Sequence, residues 1–264
     1  MFQINTSFNT NKQFSLPLQK SPSYKSSLLK KDVFQSSQGI SFKSLEGLFK
    51  KTPNLVPSVE IMPRVNNDFI SRATVQISRF PSRWLRRFKD ENYKIILSPT
   101  LVDAYKSQRV FAPNIIRFER ENPLGTLGAT CSEGKAGKNF FVFCDKPPYS
   151  DIYMRGIVNH ELSHGVVNIT GFDKSQTAHA LIRKDVEQIL NEHKLDGLSR
   201  DERLLVSHYF FNPNAYLPKD EIIADTYAWN KGGGCYGSGL VLDVNNPSLM
   251  KNLFTNLSDY LKSL

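Results

Sequence analysis

His160-Glu161-Leu162-Ser163-His164 sets two imidazoles four residues apart with a carboxylate between them. In a helix, positions i and i+4 stand one above the other on the same face. Both rings can then face one point and hold one metal ion, and a His-Glu-x-x-His run of this kind points to Zn²⁺. Glu161 stands beside that point, where it can take a proton from water at the metal. The chemistry expected is hydrolysis, with peptide bonds as the target. The flanks suit a helix: Ser150 or Asp151 can cap its start and Gly171 can stop it. Ile157, Val158, Leu162 and Val166 recur at roughly helical spacing, while Asn159 and Ser163 are polar without an evident task. The rival reading is a hydrogen-bonded pair of core histidines. A His, Glu, His stripe across an apolar helix needs a reason that a core does not supply.

A hydrolytic zinc site takes three protein ligands and leaves a fourth position for water. Gly165-Val166-Val167-Asn168-Ile169-Thr170 follows His164, so a third histidine in the metzincin spacing is excluded. The better third ligand is Glu221, in Pro218-Lys219-Asp220-Glu221-Ile222-Ile223-Ala224-Asp225-Thr226-Tyr227-Ala228-Trp229. This segment reads as a helix with Pro in its first turn and acids near its positive end. Glu221 and Asp225 are again i and i+4. Ala224 and Ala228 keep a neighbouring strip small enough for close helix packing, and Ile222, Ile223 and Trp229 supply a buried side.

A His-Glu-x-x-His helix followed by Glu-x-x-x-Asp on a later one, about sixty residues on, resembles the gluzincin peptidases. Within them the chain is similar to the catalytic domain of anthrax lethal factor and the related Pro-Pro endopeptidases. The likeness rests chiefly on residues 152–172 and 216–230, and more loosely on Phe80-Pro81 through Tyr93-Lys94-Ile95-Ile96-Leu97-Ser98. It implies His160, His164 and Glu221 as metal ligands and Glu161 as general base. Asp225 would hold a ligand histidine in one tautomer, a role expected of such carboxylates on physical grounds too. It further implies a zincin-like α+β fold, mostly helical with a small twisted sheet, acting as a zinc endopeptidase on a protein substrate. The family places a tyrosine seven residues before the third ligand, where it donates to the oxyanion; here that position is Asn214. Tyr216 is the preferred donor. The Asn214 amide, Tyr209, His208 and Tyr236 stay open for the role, as does plain packing of Tyr216 at a helix entrance. No Gly-x-Ser-x-Gly elbow suggests a serine route.

The surrounding elements must position these groups. Ser82–Lys89 reads as a helix with Trp84 and Leu85 inside and Arg83, Arg86 and Arg87 outside, and Lys94–Ser98 as a strand. Val110–Arg120 is expected as a further strand and Gly125–Gly137 as a loop with four glycines. Asn139–Cys144 is a strand leading through Pro147-Pro148 into the metal helix. Two roles stay open for it: an edge that takes extended peptide around Phe143, or an ordinary buried strand. Ser175–Lys194 reads as another helix, and Ser199-Arg200-Asp201-Glu202 as a capping-box start. Gly232-Gly233-Gly234 with Gly237 and Gly239 reads as a loop beside the cleft. Cys131, Cys144 and Cys235 give an odd count without a Cys-x-x-Cys pair, so no disulfide framework is expected, although a Cys131–Cys144 bond remains open.

The chain has 264 residues, 40% of them hydrophobic, and a net charge of +9. Residues 1–64 hold eight Lys and Arg64 against Asp32, Glu46 and Glu60, a balance of +6. They are rich in Ser, Asn, Gln and Phe, carry no acid before Asp32, and hold room for one short helix over Phe34–Phe49. We read 1–64 as a largely disordered leader and 65–264 as the metallopeptidase domain. The leader lacks the apolar core of a secretory signal. Its composition suits a bacterial effector or toxin exported by a dedicated secretion system and delivered into a host cell. A mitochondrial transit peptide and a plain extension are the alternatives, and the absence of Arg before Arg64 counts against the first. No apolar run approaches the roughly 18 residues of a membrane span. A monomer acting on a peptide or host protein, without nucleic acid, is expected. The net charge and Arg83, Arg86 and Arg87 leave open a basic module for an acidic partner, and an inactive zincin-like scaffold is the other alternative.

Overall fold

The protein, seen in a computed structural model, is described over residues 56–121, 128–133, 137–146, 151–199, 202, 219–231 and 249–264. The fold is α+β. Its described sheet has four strands: β1 (Ser58–Ile61), β2 (Tyr93–Ser98), β3 (Gly128–Ser132) and β4 (Asn139–Cys144), in the order β1-β2-β4-β3. β1 and β4 run parallel to β2, while β3 runs antiparallel to β4, with Gly128 opposite Phe143 and Ser132 opposite Asn139. The helices are α1 (Asn67–Arg79), α2 (Ser82–Asp90), α3 (Leu101–Ser107), α4 (Pro113–Glu121), α5 (Asp151–Thr170), α6 (Gln176–Asn191), α7 (Lys219–Asn230), α8 (Leu249–Leu253) and α9 (Thr255–Ser263). None of them is long and apolar enough to cross a membrane.

Helix α5 occupies the centre. It packs most extensively against α7 and also lies on α1, β3 and β4. Flanked on so many sides, it is buried along most of its length rather than along the single stripe expected. The same holds for α7, where every residue from Ile222 to Trp229 is buried. Small residues permit this closeness. Ala224 and Ala228 are fully buried on α7, and Ser163 on α5 turns its hydroxyl back onto the main-chain oxygen of Asn159. Gly171 ends α5 in the left-handed region at φ 61°, as the sequence expects.

The C-terminal helices brace α7 from behind. Asp185 on α6 is fully buried, and its carboxylate accepts from the main-chain N–H groups of Asn256 and Leu257 and from the Asn256 amide. A carboxylate from another helix thus caps α9, a bond that no local pattern announces. Asn230 and Ser258 exchange two further hydrogen bonds between α7 and α9.

The helix over 82–90, the strand over 93–98 and the strand over 139–144 agree with the sequence reading. The Ser199–Glu202 capping box is present, each residue's side chain accepting from the other's main-chain N–H. Three expectations change, and one open alternative is decided. The ordered fold begins before residue 65, because β1 pairs with β2 from within the segment read as leader. Four residues between Pro57 and Pro63 carry too little alternation to announce a strand. Val110–Arg120 is not a strand: Pro113 opens α4, where its missing N–H costs nothing. β3 lies inside the stretch read as loop, since Gly-Ala-Thr-Cys-Ser has little strand propensity and is held by its pairing to β4. Finally, β4 is an interior strand with all six residues buried, so Phe143 presents no edge; the outer strand on that side is β3. Cys131 and Cys144 are both free thiols. Phe34–Phe49, the 232–239 glycine loop and Cys235 lie outside the described residues.

Gly165 lets α5 rest on the sheet. A Cβ there would stand 2.4 Å from Phe141 Cζ and 2.8 Å from Phe88 Cε1. Those rings meet edge-on at 4.9 Å, both are fully buried, and Tyr93 stacks on Phe141, so neither can swing aside. Overpacking of this kind costs about 1–3 kcal/mol, against about 1 kcal/mol gained by replacing a helical Gly. Gly165→Ala is therefore expected to lower stability in urea denaturation of the purified chain. A rise in the midpoint would show that the helix can lift off the sheet at no cost.

Candidate metal centre

His160 and His164 come from the middle of α5 and Glu221 from the first turn of α7. The separation of Nε2 atoms in the two histidines is 3.1 Å. Glu221 Oε2 lies 3.3 Å from His160 Nε2 and 3.4 Å from His164 Nε2. The rings stand nearly perpendicular, at 82°. The three atoms thus form an almost equilateral triangle. Tetrahedral Zn²⁺ with ligands at 2.0–2.1 Å sets neighbouring ligand atoms about 3.3–3.4 Å apart, which these edges match closely. Among the described residues, these three form the group able to hold a metal ion.

Proton placement strengthens the case. His160 Nδ1 lies 2.6 Å from Asp225 Oδ1. A carboxylate only accepts, so the ring donates its Nδ1–H and turns a lone pair at Nε2 toward the triangle. Asp225 is fully buried one turn along α7 from Glu221. Burying that charge is costly unless it is paired, and His160 provides the partner. Lone pairs from His160 and the Glu221 carboxylate therefore meet His164 Nε2 at short range. A proton on His164 satisfies part of that arrangement, whereas a divalent cation satisfies all three atoms at once.

The ionisation directions of the side chains on their own agree. Burial pushes the Glu221 carboxyl up, but the two histidines against it outweigh burial and hold the group well below the usual carboxylate range. Burial works against a charged His164, yet Glu221 beside it leaves the ring above its ordinary value. Glu161 moves the other way: burial raises it, and the two histidines and Thr130 draw it only partly back.

Glu161 is not part of the triangle. Its side chain lies under β3, where the Thr130 hydroxyl sits 2.8 Å from Oε2 and 2.9 Å from the Glu161 main-chain oxygen. Gly128 faces the same carboxylate, and a Cβ there would come within 2.8 Å of Glu161 Cγ. The sequence reading brings together His160, Glu161, His164, Glu221 and Asp225. It missed Gly128 and Thr130, whose only local sign is a run of small residues. Tyr216 and the other donor candidates, Asn214, Tyr209, His208 and Tyr236, lie outside the described residues.

Compared with protein-family models, with curated proteins and with solved structures, the chain finds no match.

The Asp225 contact makes a direct prediction. Loss of such a hydrogen bond typically weakens metal binding by about 10–100-fold. Asp225→Asn keeps the shape of the side chain and removes its charge, so zinc affinity is expected to fall by that factor. Competition against a chromophoric chelator reads it, with circular dichroism as the check on folding. Unchanged affinity would mean that Asp225 does not orient His160.

Proposed function

We propose that this protein is a zinc-dependent endopeptidase, a hydrolase of zincin type acting on peptide bonds. The observation that carries the reading is the ligand triangle of His160, His164 and Glu221, with an uncoordinated, buried Glu161 directly beside it. A structural zinc site closes its coordination with a fourth protein ligand and has no use for a neighbouring carboxylate. Here three ligands converge among the described residues, and the carboxylate is retained.

His160, His164 and Glu221 would hold the metal. When bound, Zn²⁺ acts as a Lewis acid on the scissile carbonyl and brings the pKa of water towards about 7. The remaining work belongs to the protein's own side chains. Asp225 keeps His160 in the tautomer that presents Nε2. Glu161 accepts a proton from the attacking water and passes it to the departing amine, without a covalent intermediate. Burial raises its carboxyl above the ordinary value, the direction that favours a group which must both take and return a proton.

The substrate is a polypeptide in extended form. β3 is the last strand of the described sheet, and its Gly128 and Thr130 lie against Glu161. A peptide pairing along the outer edge of β3 would bring its backbone past the base, as strand addition does at other sheet edges. The basic leader, without an acid before Asp32, is the sequence feature that supports an exported effector acting on a protein of another cell.

Glu161→Gln tests the reading. The amide keeps the shape and cannot take the proton, so cleavage of a mixture-based peptide library is expected to fall by about 10²–10⁴-fold. Zinc content, measured by atomic emission, should stay at one ion per chain. A wild-type protein that binds zinc but cleaves no peptide, or a Glu161→Gln variant as active as wild type, would sink the proposal.

A further inference from the structure

Glu161 is held from the sheet rather than from its own helix. Residues two apart on a strand share a face, so Gly128 and Thr130 are both directed at α5. The first supplies space, the second a hydrogen bond. A side chain at 128 would collide with Glu161 Cγ at 2.8 Å and Oε1 at 3.0 Å. The Thr130 hydroxyl reaches both Oε2 and the main-chain oxygen of Glu161. A hydroxyl has one proton to give and lone pairs to receive with. While Glu161 is ionised, Thr130 can donate to Oε2. Once Glu161 carries a proton, Thr130 can turn its own proton to the main-chain oxygen and accept from the carboxyl. Either way the side chain keeps Thr130 as its neighbour.

Resting on the peptidase reading, we propose that Thr130 is a positioning residue: its hydroxyl, reaching from β3, fixes the Glu161 carboxyl beside the metal site. The base is thereby tied to β3, the strand along which a peptide would pair. The proposal needs the hydroxyl and not the methyl group. Ser keeps the hydroxyl, and Val keeps the β-branched shape that suits the strand.

The test uses the full chain loaded with zinc, as Thr130→Ser and Thr130→Val beside wild type and Glu161→Gln. The first readout is a crystal structure of each protein. Thr130→Val is expected to show the Glu161 carboxyl displaced or split between rotamers, with His160, His164 and Glu221 unmoved; Thr130→Ser should match wild type. A carboxyl unmoved in Thr130→Val would overturn the proposal, whatever the activity. The second readout is kinetic, on a peptide selected from the library. Misplacing a catalytic group by about 1 Å can cost 10²-fold, so Thr130→Val should lose about 10–100-fold in kcat with KM little changed, and Thr130→Ser should recover most of it. Equal losses in both variants would reveal a packing role and overturn the positioning role. If wild type cleaves nothing, the peptidase reading fails, while the crystal structures still decide whether Thr130 holds the carboxyl.

Discussion

The 2.6 Å contact between His160 and Asp225 joins the two halves of the site, and much of the surrounding architecture serves it. It links α5 to α7 across 65 residues of chain. Neither group tolerates its position alone: an unpaired carboxylate with no solvent exposure is strongly disfavoured, and a buried imidazole without a partner for Nδ1 could take either tautomer. Together they fix the register of one helix on the other. Because Glu221 lies one turn before Asp225, that register also brings Glu221 to the two imidazoles. The position of the triangle and the tautomer of His160 thus follow from one buried hydrogen bond, with Ala224, Ala228 and Ser163 keeping the helices close enough for it to form.

The sheet and the C-terminal helices act on the same contact from outside. Gly165 seats α5 against Phe141 and Phe88, so the helix cannot rotate without a clash. Asp185 caps α9, and the Asn230–Ser258 pair ties α9 to α7. These polar bonds are buried and directional, and therefore set orientation in a way that apolar packing does not. The aromatic cluster of Phe80, Phe88, Tyr93, Phe141 and Tyr227 supplies much of the non-directional adhesion.

How far the sequence reveals all this depends on the distance over which each feature is specified. The spacings of His160 with His164, and of Glu221 with Asp225, are visible because each pair sits one helical turn apart and needs only the helical period. Gly171 and the Ser199–Glu202 box are equally local. Thr130 and Gly128 escape notice because their role is defined by Glu161, 31 residues from Thr130. A five-residue strand of small side chains has no periodicity to advertise it. β1 and α4 fail for related reasons: one is too short to alternate, and the other opens at a proline inside a run whose apolar residues, Ile115 and Ile116, suit a strand as readily as a helix. Asp185 is the extreme case, a cap donated to a helix start some 70 residues away.

Exposure across the site is graded, and the gradient gives the metal centre a direction. The Asp225 side chain is 0% exposed, His160 7%, His164 14% and Glu221 30%. Depth falls steadily from the orienting carboxylate to the third ligand. Among the described residues, the more exposed side of this group lies toward His164 and Glu221. Glu161, by contrast, is buried against β3. Under the proposed reading, this asymmetry would give a hydrolytic site a rigid, dry side that keeps its geometry fixed and a wet side through which substrate and water exchange. A purely structural site gains nothing from such an opening. The gradient and the buried Glu161 both accord with the proposed reading, one from packing and the other from chemistry.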